Sequence, residues 1–146
     1  MIGDHCTVSQ YFRVGQQVLW NPSNGVAELF VHTAQTLAHI QDVPSGIGDM
    51  DADEYEIDPD SLSAFVNALV GRYVASHHPI LRALLEGFVA TAMVLVDRAG
   101  RDTPALDDPP PLELRDVSIS TAGMAPRADA ARLRRLAQEH ARAMPR

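Results

Sequence analysis

The sequence predicts an α+β fold, mainly helical: a short antiparallel sheet packed on three helices, the third of them apolar and central. Three observations lead there. Residues 11–20 are rich in aromatic and branched side chains and broken by Gly15, two segments with helical apolar spacing follow, and residues 80–99 are apolar nearly all round. With 146 residues, 46% of them hydrophobic, the chain can bury roughly two thirds of its unfolded surface in one core. Collagen-like, coiled-coil and wholly disordered readings do not fit this composition.

Tyr11-Phe12-Arg13-Val14-Gly15-Gln16-Gln17-Val18-Leu19-Trp20 reads as two strands, with Gly15 supplying a turn or a bulge. Asn21-Pro22-Ser23-Asn24-Gly25 is a turn cluster, and Ser23 or Asn24 is placed to cap the next helix with its side chain. That first helix covers 26–41. Val26, Phe30, Ala34, Leu37 and Ala38 form its buried stripe, and Glu28, His32, Gln35 and His39 share another side. Pro44 ends it, because a residue before proline leaves the helical region. Residues 46–58 read as an acidic loop containing glycine.

Asp58-Pro59-Asp60-Ser61 opens the second helix with an Asp cap, proline in the first turn and an acid near the positive end of the dipole. Leu62, Phe65, Val66, Leu69 and Tyr73, with Val70 beside them, make its buried face, and it ends near Ser76. His77-His78-Pro79 is a hinge, with His78 suited to cap the third helix, 80–99, closed by Gly100. Residues 1–100 thus form a core domain. Residues 101–111, ending in three prolines, are an extended linker. Residues 112–120 alternate partially (Leu112, Leu114, Val117, Ile119), as a further strand or a mobile stretch would. The segment 128–143 is a weak helix whose seam, Leu133, Leu136 and Met144, is too narrow for a core element, so 112–146 reads as a partly mobile basic tail.

Composition removes several chemistries. Cys6 is the lone cysteine, so no internal disulfide and no single-chain thiolate zinc cluster can form. All twelve cationic side chains are arginine, which rules out a Schiff-base lysine or a phosphate-loop lysine. The longest apolar run, 80–96, contains Arg82 and Glu86 and is short for a bilayer span. No apolar block with a basic lead stands in the first twenty residues, so a cytoplasmic setting is expected.

The net charge is −7, and it is unevenly placed. Residues 1–60 hold ten acids against Arg13 alone, whereas 126–146 hold six arginines against Asp129 and Glu139. An acidic body repels nucleic acid. That partner is expected only through the tail, at Arg127, Arg132, Arg134, Arg135 and Arg142.

Among candidate sites, Asp49, Asp51 and Asp53 have the alternate spacing of a calcium loop, with Asp60 at its twelfth position. Glu54 stands where that loop needs glycine, and Pro59 stiffens its end. An irregular Ca or Mg site on these carboxylates therefore ranks behind a solvated acidic strip, Asp49 to Glu56, that docks a basic protein. Trp20 and Tyr55 are the aromatic anchors such a strip would use, although a tryptophan between strand and helix more often plugs a core. His32 and His39, seven apart, and His77 and His78, adjacent, lack the spacing of four that helical metal ligands favour. Ordinary hydrogen-bonded histidines are the simpler reading. No nucleophile elbow or glycine-rich phosphate loop is present.

Tyr11-Phe12-x-Val14-Gly15, the run Val18-Leu19-Trp20-Asn21-Pro22-Ser23-Asn24-Gly25-Val26-Ala27, Leu69-Val70-Gly71-Arg72-Tyr73 and His78-Pro79 resemble a small family of uncharacterised proteins from actinomycete-type bacteria. The resemblance spans residues 9–99. It implies a bacterial, cytosolic setting and carries no activity, cofactor or site residue. The sequence leads to a non-catalytic protein-binding module of toxin-neutralising or regulatory kind, with a basic partner and no catalytic residues. The alternative is a small-molecule or metal-binding protein or enzyme, with a pocket between the first and third helices lined by His32, His39, His77 or His78.

Overall fold

The computed structural model describes residues 9–108 and 126–146. Cys6, the three prolines and the expected strand at 112–120 lie outside the described residues. The fold is α+β and mainly helical.

Strands β1 (Tyr11–Val14) and β2 (Gln17–Trp20) form the expected hairpin, turning at Gly15. The acidic stretch after Gly46 is not a loop. It forms β3 (Ile47–Asp51) and β4 (Glu54–Ile57), which pair antiparallel, and β4 lies parallel to β1. The sheet is therefore mixed, in the order β2-β1-β4-β3. Acidic composition conceals an ordinary half-buried strand. Tyr55 and Ile57 are buried while Glu54 and Glu56 stay on the wet side, which is strand alternation with one solvated face. Ala52 and Asp53, both at positive φ (51° and 64°), close the hairpin in the sense that matches strand twist.

Register builds the core around Phe12. It lies opposite Trp20 on β2 and Tyr55 on β4, and its ring stacks on both, with centroids at 5.4 and 4.8 Å. Helix α1 (Asn24–Gln41) brings Phe30 edge-on to this ladder, 5.5 Å from Phe12 and 5.3 Å from Trp20. Such pairs contribute about 0.5–1.5 kcal/mol each beyond the area they bury. Seating Phe30 there turns the helix, so its buried stripe is Ala27, Phe30, Val31 and Ala34, and Val26 faces out. Ser23 takes the N-cap position without a side-chain bond; its carbonyl accepts from the Ala27 N–H at 2.9 Å.

Helix α2 (Pro59–Ala75) starts as its sequence dictates, with Asp58 Oδ1 accepting from the amides of Asp60 (3.1 Å) and Ser61 (3.3 Å). Helix α3 (Pro79–Arg98) is capped by His78, whose Nδ1 accepts from the Ile80 amide at 3.2 Å. Only its C-terminal half is central: Val89 and Leu95 are fully buried, whereas Ile80 and Leu84 are exposed. Among the described residues α3 is the one helix long and apolar enough to cross a membrane; here its apolar half is covered by α2 and α4.

Helix α4 (Pro126–Arg142) corrects the expectation of a lightly docked tail. Leu133 is fully buried, and it and Met144 belong to the same core as Phe12. A narrow apolar seam suffices because polar ties supplement it, as described below. The first part of the expected linker is also folded. Residues 104–106 form a short 3₁₀ turn on α2, where the Ala105 N–H donates to Asn67 Oδ1 at 2.8 Å.

Candidate functional site

The acidic residues separate into two groups. In the parallel register Arg13 lies beside Glu56, with Glu54 two pairs before it, and Arg13 forms ion pairs with both glutamates. Glu56 also accepts from the Gly15 N–H at 3.0 Å. These two carboxylates therefore hold the sheet together. Asp49 and Asp51 are exposed on β3, at the end of the sheet, and Asp53 sits in the turn, its carbonyl accepting from the Tyr11 N–H at 2.9 Å. An extended strand spreads these acids along its length instead of wrapping them around an ion. Among the described residues no group of three or more His, Cys, Asp or Glu side chains is arranged to hold a metal.

The two expected aromatic anchors are core residues. Trp20 is 4% and Tyr55 6% exposed, because both complete the ladder on Phe12. Burial, together with the nearby charges of Glu28 and Asp53, raises the Tyr55 hydroxyl above its ordinary value. It stays a neutral phenol.

A concavity does lie between α1 and α3, and α4 closes one end of it. Its volume is about 690 Å³. Trp20, Phe30 and Phe88 supply aromatic surface, with Phe30 stacked on Phe88 at 4.8 Å. Val26 and Leu29 form the α1 lip and Leu84 the α3 lip; Leu29 is 71% and Leu84 77% exposed. Gly87 opens the wall between Leu84 and Phe88, and a methyl group added there would meet nothing within 4 Å. Glycine inside an exposed helix costs about 1 kcal/mol relative to alanine, so the open space is held at some expense of stability.

None of the expected histidines lines this groove. His32 and His39 are exposed on α1, His77 is half-buried at the hinge, and His78 is the helix cap. The rotation of α1 about Phe30 accounts for the first pair. The histidine that does line the groove is His140 of α4, whose Nδ1 lies 2.8 Å from Thr91 Oγ1. Thr91 Oγ1 also lies 3.1 Å from the Gly87 carbonyl oxygen, so its hydroxyl bridges the α3 backbone and the imidazole. His140 had a sequence signal: Leu133, Ala137 and His140 are spaced four and three, one continuous helix face.

The α4 wall is fixed by charge. Arg132 grips Glu86 with two hydrogen bonds, Nε to Oε2 at 2.7 Å and Nη2 to Oε1 at 2.9 Å. The Tyr73 hydroxyl donates to the same Oε2 at 2.6 Å, so Glu86 joins α2, α3 and α4. Arg82 pairs with Asp129 and lies over the Tyr73 ring, 4.8 Å from its centroid. The Arg132 bonds, with help from Tyr73, hold the Glu86 carboxyl below its usual range against the opposing effect of burial. Burial and the bond to Glu86 push the Tyr73 hydroxyl up to about 12. Of the tail arginines, Arg132 and Arg134 are engaged by acids of their own chain, the latter by Asp107 at 2.6 Å; Arg135 and Arg142 are exposed.

No curated protein and no solved structure gives a match to the chain. A family model does match, over residues 8–146, and so takes in α4 and the groove wall it supplies as well as the N-terminal motifs. The chain belongs to that family, a family of unknown function (DUF6086).

Proposed function

We propose that the protein is a cytosolic, non-catalytic binding module, of toxin-neutralising or regulatory kind, that seats an apolar helix of a basic protein partner in the groove between α1 and α3. The observation that carries this reading is the pair of lips: Leu29 of α1 and Leu84 of α3, each more than two thirds exposed, line one groove. Exposed leucines on two different helices at the edge of one concavity are where a partner's apolar side chains would be covered. A groove walled by helices, with leucines at its edges, is the geometry that receives the ridge of an amphipathic helix. Charge sets the partner's sign. Among the described residues the groove's one fully charged lining residue is Glu139, and a chain of net charge −7 steers cations toward itself.

A small apolar ligand is the second reading, favoured by the groove's volume, which lies within the range of ligand pockets. The lips argue for the helix, since a ligand confined to the floor would leave Leu29 and Leu84 in water. Two variants test the proposal. Leu29→Asp with Leu84→Asp changes exposed side chains, so stability should stay within about 0.5 kcal/mol per site. Gly87→Leu fills open space and should raise stability by up to about 1 kcal/mol. Both should abolish capture of the partner by a photoreactive residue placed at Val26 in the native host. The expected capture maps to a basic helical segment. Retention of the same partner by both variants would contradict the proposal.

A further inference from the structure

We propose that α4 is an exchangeable occupant of the face it covers. The surface formed by α2, α3 and the 104–106 turn is a receptor for a basic amphipathic helix of another protein, and α4 blocks it in cis. The inference stands apart from the groove reading, because none of the charged residues it uses lines the groove. Two features distinguish α4 from the other helices. Its apolar hold is slight: among the described residues it buries Ala130 and Leu133, where α2 buries nine side chains and backbone positions. Its charge is opposite to that of the body. Residues 126–146 hold six arginines against two acids, and the rest of the chain holds six against seventeen.

The contacts spell out what the face recognises. Asp129 pairs with Arg82, Arg132 takes both oxygens of Glu86, Leu133 enters the core and Arg134 reaches Asp107. Asp-x-x-Arg-Leu-Arg is thus a pattern read at four places on the body, three by charge and one by shape. The Arg132 side chain is 53% exposed and Asp107 78%, so water and salt compete for these pairs. On leaving, α4 uncovers the part of α3 it packs on together with Glu86, a surface suited to the apolar ridge of a helix with cationic flanks. A helix supplied in cis lowers a rival's apparent affinity by the fraction of molecules in which the face is open. That is an autoinhibitory contact.

The probe is a labelled synthetic peptide of residues 126–146, followed by fluorescence anisotropy against the full chain. Arg132→Ala with Arg134→Ala loosens α4 and leaves the face intact. This variant should bind the peptide about tenfold tighter than the wild-type chain does, the scale on which two exposed ion pairs shift a docking equilibrium. Adding Glu86→Gln should undo the gain, with the fold checked by circular dichroism, and a peptide with alanine at both arginines should not bind. Hydrogen exchange reads the same opening without a variant. At about 0.5 M NaCl the amides of 130–141 should exchange severalfold faster than at about 0.02 M, while those of 62–73 in α2 hold their rates. If the loosened variant does not fold, this exchange decides alone. Amides of α4 that open only together with α2, at either salt concentration, overturn the inference. So does a loosened variant that gains no affinity, or a gain that survives Glu86→Gln. A wild-type chain that dimerises as α4 opens gives the face to the α4 of a second copy and overturns the foreign partner.

Discussion

Glu86 is the residue on which three helices meet, and its environment gives the protein a pH window. Its folded-state pKa lies below the usual carboxylate value, so its contribution is complete above about pH 5 and is lost as pH falls through the depressed value. Tyr73 acts on the other side. Its hydroxyl, ordinarily near 10, is raised to about 12, so its contribution is complete below about pH 10 and is lost as pH climbs through 12. Urea midpoints measured against pH should therefore show an acid limb and an alkaline limb. Glu86→Gln should flatten the acid limb and lower stability near neutrality by about 2 kcal/mol, since it leaves Arg132 without its carboxylate. A variant with an unchanged acid limb would show that the junction is not where the pH dependence arises.

At the scale of elements, the signals that survive are those carried by several residues acting locally. Asp58-Pro59-Asp60 announces α2 because a cap, a proline and an acid all satisfy the same helix end, and the structure shows the Asp58 cap in place. Tyr11 to Trp20 announces a hairpin through β-branched and aromatic density. What was not legible depends on long-range pairing. Residues 46–58 read as loop because Gly46, Gly48 and six acids outweigh a two-residue alternation. Only pairing with β1, which places Tyr55 on Phe12 and Glu56 on Arg13, makes a strand of β4. The stripe of α1 was displaced for the same kind of reason, and with it the histidines expected in the pocket. The hairpin turn is open to test. Ala52 holds a left-handed φ that costs an L-residue about 1–2 kcal/mol, so Ala52→Gly should stabilise the protein, by about 1 kcal/mol after the added chain entropy. Gly46→Ala should act in the opposite sense, by about 3 kcal/mol: its φ is +80° and the new methyl would lie 2.4 Å from the Leu62 nitrogen. Thermal unfolding of both variants checks the pair.

On the scale of the whole molecule, α4 turns an open face of the α1–α3 pair into a bounded groove. It had little in its sequence to announce this. Its apolar side chains are few, and the partners of its arginines, Glu86 and Asp107, stand far away in sequence. The acidity of the body was legible from composition, whereas the groove was not, since Leu29 and Leu84 look like any helix leucines until their exposure is seen. The sequence led toward a strip at Asp49 to Glu56 as the partner's landing place. In the fold, Glu54 and Glu56 are paired with Arg13, and the two most exposed leucines, Leu29 and Leu84, both line the groove. The most direct test is to titrate a synthetic amphipathic helical peptide, with a leucine ridge and lysine-rich flanks, into ¹⁵N-labelled protein and map the amide shifts. The account predicts changes centred on Leu29, Thr33, Leu84, Gly87 and Thr91, with the Trp20 indole moving among them. Shifts gathered instead on Asp49, Asp51 and the β3–β4 turn, with the groove amides still, would contradict it.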